Sequence, residues 1–448
     1  MKYQRLLGTV SLFALVAASS CSHAGSGSMM PPALPSAGEA DTIETPAQGY
    51  YPMTSATSAR RVCSAPATAD RMRCFAWMRT DLVARTIVED GIPEGVGFTP
   101  SDIASAYKLN ITKGGGQTVA IVDAFGYTQA ESDLAAYRKA GALPECSTAN
   151  GCLRIVNQTG SAAGLPPPNT TDDWRGEQAL DLDAVSAACP KCKIVLVQTS
   201  TDSPDNLAAG VVTAVSKMRA NIVSNSYGGP ETPALSSAYN QPGHVIVAAA
   251  GDNGGGLSDG GGPSVPCTLT TVVCVGGTHL VKAPGKSRGW RESVWNDLAS
   301  NQCNGNCGGT GSACSNAFAK PAWQSASTCP RRAAADVSAV ASVFTPFAVY
   351  SVLFKTSQNP SPWAGYGGTS LATPLIAGMF ALAGNAATRH GAEEIWKTHS
   401  SFFDVTTGTN VLAGITGPCA STVPEICTAK AGYDGPTGWG SPNGTTDL

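Results

Sequence analysis

The stretch Gly365-Tyr366-Gly367-Gly368-Thr369-Ser370-Leu371-Ala372-Thr373-Pro374 runs directly into the apolar segment Leu375 to Ala383, and its reading decides the fold. The clustered glycines let backbone approach a ligand closely, and the apolar residues after them read as a buried helix. Ser370 therefore stands at a helix N-terminus, where free N–H groups and the positive end of the helix dipole favour an alkoxide or an oxyanion. A serine serving only to cap a core helix would read the same. The motif alone names no chemistry, because a serine hydroxyl is a poor nucleophile until a base takes its proton.

Histidine is the usual base, yet the chain carries only five: His23, His244, His279, His390 and His399. None occupies a glycine-flanked helix start of the His-Gly-Thr-His kind, so a carboxylate is the alternative. The segment Glu177-Gln178-Ala179-Leu180-Asp181-Leu182-Asp183-Ala184 reads as helix and brings Glu177 and Asp181 within about 40° of each other on one face, while Asp183 points away. Like charges at that spacing repel. A solvated acidic face would tolerate them, but the apolar neighbours Ala179, Leu180, Ala184 and Val185 suit a sheltered pair that shares a proton and titrates as a unit. A further carboxylate, Asp252, closes the apolar strand Val245 to Ala250 in Ala249-Ala250-Gly251-Asp252-Asn253-Gly254. The C-terminal end of a central strand is where chemistry sits in a parallel sheet, although an Asx-turn carries the same signature.

Around these motifs apolar runs alternate with helical patterns. Strands are predicted at Gln117 to Asp123, Lys193 to Gln198, Asn221 to Ser226, His244 to Gly251 and Thr271 to Gly276. Helices are predicted at Thr128 to Ala140, Arg175 to Ala188 and Asp205 to Met218, besides the one that Ser370 opens. Such alternation implies an α/β fold: a mostly parallel sheet with helices on both faces.

The N-terminus reads differently. Lys2 and Arg5 ahead of the apolar run Leu6 to Ala18 form a signal peptide, residues 1–24, too short to span a bilayer. Its exit is cleavage after Ser22-His23-Ala24, with lipid attachment at Cys21 as the weaker alternative. Residues 25–97 comprise a Ser, Pro, Gly and Ala-rich linker and a short segment with one predicted helix, Phe75 to Val88. The main domain covers 98–448. A net charge of -3 gives no reason to expect nucleic acid. Of the 15 cysteines, all but Cys21 remain after export, an even set falling mostly in close pairs. Loop-closing disulfides are expected, with a redox Cys189-Pro-Lys-Cys192 motif and a zinc site at Cys303, Cys307, Cys314 and Cys329 as alternatives.

In that order, Glu177-x-x-x-Asp181, Ala-Gly-Asp252-Asn-Gly and Gly-Gly-Thr-Ser370-x-x-x-Pro374 resemble the sedolisins, serine-carboxyl peptidases with a subtilisin-like fold. The similarity extends from Phe98 to Leu448, through Val223-Ser224-Asn225-Ser226-Tyr227-Gly228 and Cys274-Val275-Gly276-Gly277-Thr278. By that resemblance Ser370 is the nucleophile, Glu177 its general base, Asp181 the partner of Glu177 and Asp252 the oxyanion donor. Phe403-Asp404-Val405-Thr406-Thr407-Gly408 and Lys430-Ala431-Gly432-Tyr433-Asp434-Gly435 resemble the family's calcium site. The resemblance implies one structural Ca²⁺ held by Asp404 and Asp434 side chains and by the carbonyls of Val405, Lys430 and Gly432. It implies an exported, acid-active endopeptidase acting on proteins or peptides, and a monomer is expected. The family's long folded pro-region is replaced here by about Gly25 to Gly97. Two other readings stand beside it: a subtilisin-type protease using Asp123 and a histidine, and a secreted binding protein on a decayed protease fold.

Overall fold

The computed structural model describes residues 51, 58–82, 91–255, 263–300, 302–303, 307–357, 359–389, 391–411, 419 and 423–448. The predicted signal peptide and Cys21 lie outside these. Three short strands come first: β1 (Ala59–Arg61), β2 (Arg73–Cys74) and β3 (Trp77–Arg79). There follow α1 (Pro100–Ala106), β4 (Thr118–Ala124), α2 (Ala130–Ala140), β5 (Leu153–Asn157), α3 (Arg175–Ala188), β6 (Lys193–Thr199), α4 (Pro204–Ser216), β7 (Ile222–Asn225), β8 (Tyr227–Pro230), α5 (Ser236–Tyr239) and β9 (Val245–Ala249). The second half holds β10 (Asn253–Gly255), β11 (Ser264–Val265), β12 (Val273–Lys282), β13 (Trp290–Val294), β14 (Gly309–Ala319), β15 (Arg331–Ala334), β16 (Val337–Val340), β17 (Phe347–Tyr350), β18 (Trp363–Gly367) and α6 (Thr369–Ala383).

The main sheet runs β13-β12-β9-β7-β4-β6-β5, with β16 also on β12. Every pairing in it is parallel except β12 with β13. This is the subtilisin-like α/β architecture, and its central strands are continuous apolar runs because helices cover both faces. Side chains alternate along β4. A carbon added to Gly210 of α4 would lie 2.7 Å from Val122 Cγ1, so Val122 faces α4, while the next residue, Asp123, faces α3 and acts electrostatically on Glu177. On that face α3 and α6 pack closely: a carbon on Gly378 would come within 2.6 Å of Ala188 Cβ.

Two expectations are corrected by long-range pairing. The Thr271 to Gly276 strand continues as β12 to Lys282, because its second half finds β13 as a partner. The Phe75 to Val88 helix is not formed over its described part. Trp77–Arg79 is a strand, clasped between β1 and β18, with Trp77 buried beside Trp295 and Val343; tertiary packing overrides local propensity here. The same segment thereby folds onto the body that begins at Phe98. All fourteen cysteines after Cys21 form disulfides, Cys63–Cys74, Cys146–Cys152, Cys189–Cys192, Cys267–Cys274, Cys303–Cys307, Cys314–Cys329 and Cys419–Cys427, which excludes the zinc alternative. Among the described residues no helix is long and apolar enough to cross a membrane.

Candidate active site

The turn into α6 is shaped by its glycine. Gly368 has φ 103°, a conformation that favours glycine, and a Cβ there would lie 2.0 Å from the Phe75 carbonyl oxygen and 2.9 Å from Asp252 Oδ2. Thr369 then donates its N–H and its hydroxyl to Asp252 Oδ1, at 2.9 and 2.7 Å, and accepts from the Gly251 N–H at 3.1 Å. Asp252 is thus fixed at the end of its strand with Oδ1 occupied and Oδ2 turned toward the Gly368 turn.

Ser370 follows in the first turn of α6, fully buried. Its Oγ donates to the Ser226 carbonyl at 3.0 Å and accepts from the Phe75 N–H at 3.0 Å. Pro374, one turn on, has no N–H to give the Ser370 carbonyl. That carbonyl is reached instead by Ser226 Oγ at 3.4 Å, and Ser226 Oγ also donates to Asp181 Oδ1 at 2.9 Å. One serine between β7 and β8 therefore ties the α6 turn to the α3 carboxylates.

Glu177 and Asp181 project from α3 into the same site, and with Asp123 from β4 they form a cluster in which every member is 0% exposed. Gln178 holds the register, donating to the Ala124 carbonyl at 3.2 Å and accepting from Gln198 at 2.9 Å. Burial pushes the Glu177 pKa well above the carboxylate range, with the charge of Asp123 adding to it; the Ser370 hydroxyl and the Ala76 amide are close enough to oppose the rise. Asp181 is likewise raised, by burial first, then by Asp123 and Glu177. Asp123 is pushed up to about 8 by burial. Carboxylates so placed share protons and titrate together. Asp183 sits apart, accepting from the Tyr350 N–H at 3.0 Å.

The structure thus brings Ser370, Glu177, Asp181 and Asp252 into one site, around the single turn where β7, the Gly251 loop and α6 meet. It adds two groups that the motifs did not single out for it: Ser226 and Asp123. The signal for Asp123 was present, since it ends an apolar strand as Asp252 does. The described histidines are engaged elsewhere: His244 with the Ala220 carbonyl, His279 with Ser342, and His399 stacked on Trp439.

Asp404 and Asp434 converge on one C-terminal loop. Asp404 Oδ2 accepts from Gly432 N at 2.8 Å, and Asp434 Oδ2 from Lys430 N at 3.1 Å, while Asp434 Oδ1 takes the Thr437 N–H and hydroxyl at 3.0 and 2.8 Å. Val405 is buried beside them. Two hard carboxylates around loop backbone are a donor set suited to Ca²⁺.

The subtilase family pattern matches residues 157–401, more than half of the chain. Sedolisin of Pseudomonas sp. (strain 101) is 28% identical over 382 residues, 77% of this chain and 60% of that protein. Xanthomonalisin of Xanthomonas sp. (strain T-22) is 26% identical over 393 residues, 76% of this chain and 45% of that one. The chain therefore spans less than two thirds of the length of these curated relatives. The solved structure of Pseudomonas sedolisin, a serine-carboxyl proteinase complexed with two molecules of pseudo-iodotyrostatin, aligns with a TM-score of 0.61 at 24% identity, covering 78% of this chain and 96% of that one. That likeness concerns the fold.

Proposed function

Since the chain belongs to the subtilase family, we propose that it is an exported serine peptidase of the sedolisin type, acting in acid on proteins or peptides. The observation that carries this reading is the meeting of Ser370 with buried carboxylates at a helix N-terminus, while the described histidines lie elsewhere.

In this mechanism Glu177 takes the Ser370 proton as Oγ attacks the scissile carbonyl carbon, and later gives it to the leaving nitrogen. Asp181, tied through Ser226 to the Ser370 turn, shares the proton with Glu177 and keeps one of the pair ionised. Asp252 stabilises the developing oxyanion through Oδ2, together with the backbone N–H groups that open α6. A carboxyl group donates a hydrogen bond only while protonated, which favours acid conditions. Burial raises the Glu177 pKa and holds the group neutral in the closed cleft; as a base in acid it requires solvent to return it toward its ordinary range, below the ~6.5 of a histidine.

The test is hydrolysis of a denatured protein across acid pH. Glu177→Gln abolishes activity, whereas a variant without His244, His279, His390 and His399 retains it. The reverse pattern would establish the subtilisin-type reading with Asp123. Absence of hydrolysis at every pH from ~2 to ~8, a span that covers carboxylate and histidine titration, would leave a non-catalytic binding protein.

Calcium belongs to the same proposal. Asp404 and Asp434 would supply side-chain oxygens, and Val405, Lys430 and Gly432 carbonyls, with the ion stabilising the C-terminal loop. Seven disulfides suit a protein working in an oxidising compartment.

A further inference from the structure

Resting on the peptidase reading of this site, we propose that Ser226 is a positioning residue of the reaction: its one hydroxyl proton points to Asp181 when that carboxylate is ionised and to the Ser370 carbonyl when it is protonated. Ser226 touches the nucleophile twice. Its carbonyl accepts from Ser370 Oγ at 3.0 Å, and its Oγ lies 3.4 Å from the Ser370 carbonyl oxygen. The same Oγ lies 2.9 Å from Asp181 Oδ1. A serine hydroxyl has one proton to donate and two lone pairs that accept, so it serves one of these two acceptors at a time.

Which acceptor it serves follows from charge. An ionised carboxylate prevails over a neutral carbonyl, because a charge-assisted hydrogen bond is roughly twice as strong as a neutral one. Ser226 then donates to Asp181. Once Oδ1 carries a proton, Asp181 becomes the donor and Ser226 Oγ the acceptor, which leaves the serine proton to turn to the Ser370 carbonyl. That oxygen is suited to receive it, since Pro374, one turn on, has no N–H to offer. Ser226, Asp181 and Ser370 are all 0% exposed, so bulk water does not compete for the hydroxyl.

The surroundings of Ser226 leave the proton as the moving part. Asn225, before it, donates through Nδ2 to the Val247 carbonyl of β9 at 2.9 Å. Tyr227, after it, donates its hydroxyl to Asn225 Oδ1 at 2.8 Å and stands 3.2 Å from the Tyr239 hydroxyl. All of these residues are buried. Ser226 is thereby fixed between the α3 carboxylates and the first turn of α6. Asp181 is faced by Glu177 from its own helix, by Asp123 from β4 and by the Tyr227 phenol from β8. These groups are themselves acidic, and Ser226 supplies the donor that favours the charged form of Asp181.

The two contacts with the nucleophile alternate through the reaction. Before attack, Ser370 Oγ keeps its proton and donates it to the Ser226 carbonyl. As Oγ bonds to the scissile carbonyl carbon, that proton passes to Glu177, which shares it with Asp181, and the hydrogen bond from Oγ to Ser226 is lost. The proton reaching Asp181 turns the Ser226 hydroxyl to the Ser370 carbonyl. The first turn of α6 therefore gains a hold on its backbone at the step where it loses one on its side chain. Transfer of the shared proton to the leaving nitrogen returns the hydroxyl to Asp181, and hydrolysis of the ester by water gives Oγ its proton back. Ser226 neither gains nor loses a proton.

Ser226→Ala and Ser226→Thr are compared with the parent in hydrolysis of a denatured protein across acid pH, and in urea unfolding across pH in a Ser370→Ala background, which keeps the carbonyl at position 370. Burial raises the Asp181 pKa, Asp123 and Glu177 add to the rise, and the Ser226 hydroxyl opposes it. Without that hydroxyl Asp181 ionises at still higher pH. Expected in Ser226→Ala is an acid limb of kcat moved up by about one pH unit and a maximal kcat lowered ~10-fold with KM nearly unchanged, the scale of one charge-assisted hydrogen bond. Ser226→Thr, which restores a hydroxyl, keeps the parent's limb. In the Ser370→Ala background the stability deficit caused by Ser226→Ala widens as pH rises, because ionised Asp181 loses a stronger bond than protonated Asp181 does. An active Ser226→Ala chain whose pH profile superimposes on the parent's overturns the switch and leaves the peptidase reading standing. Should Ser226→Ala lose all activity, the unfolding comparison decides, and a deficit constant in pH overturns the switch. A parent that hydrolyses nothing overturns the peptidase reading, and the role of Ser226 in the reaction with it.

Discussion

Replacing Asp123 by Asn in an inactive Ser370→Ala background tests whether the buried carboxylate cluster has the protonation its surroundings imply. Among the described residues neither oxygen of Asp123 has a hydrogen-bond partner, and burial raises its pKa from 3.8 to about 8. The unfolded chain therefore releases this proton near pH 3.8 while the folded chain keeps it to about pH 8. Between those values the folded state binds the extra proton, so stability falls as pH rises, by about 1.4 kcal/mol per unit. Over the whole window the loss is of the order of several kcal/mol, shared with the carboxylates that titrate with it, and Asn, neutral throughout, does not incur the part due to Asp123. Relief of the charge on Glu177 and Asp181 acts in the same direction. Urea unfolding at both ends of the window is the assay. Parent and variant should have similar midpoints in acid, where both bury a neutral group of the same size, and Asp123→Asn should be the more stable by several kcal/mol at the alkaline end. A difference that stays constant with pH would mean that Asp123 is already ionised in the folded protein, and the cluster would have to be redrawn around a compensating cation.

Asp252→Ala should leave substrate binding nearly intact and lower turnover by ~10²–10³, the usual effect of deleting an oxyanion donor. Asp252→Asn should retain measurable activity and lose less of it toward neutral pH, because an amide remains a donor where an ionised carboxylate does not; steady-state kinetics across pH decide, and two variants tracking the parent would reduce Asp252 to a turn residue. Chelation of calcium should lower the melting temperature with activity falling only as the protein unfolds, since Asp404 and Asp434 lie far along the chain from every catalytic motif. Immediate loss of activity in a chelated protein whose circular dichroism is unchanged would contradict a purely structural ion.

The parts of the site that could be read in the sequence are those whose geometry is local. Glu177 and Asp181 share a helix face by spacing alone, and the glycines before Ser370 announce the turn that Gly368 makes at positive φ. The alternation that predicts β4, β6, β7 and β9 reflects strands covered on both faces, which carry a continuous apolar signal. Strands such as β14 and β15 carry no such run, and they are defined by pairing with each other. The contact of Phe75 with Ser370 spans 295 residues of sequence, and no local pattern encodes it. The apolar spacing after Phe75 suits a helix equally well, and only the partners β1 and β18 make Trp77–Arg79 a strand.

Burial links the acid chemistry to the closed cleft. For Glu177, Asp181 and Asp123 the largest cause of the raised pKa is removal from water, and the segment lying on Ser370 is part of what keeps water out. Removing residues up to Phe75 would admit solvent to Glu177, which favours its charged form and lowers its pKa. The stability of a Ser370→Ala chain lacking residues 1–75 should therefore fall less steeply with rising pH than that of the full Ser370→Ala chain. Superimposable pH dependences would show that the segment does not set the environment of Glu177.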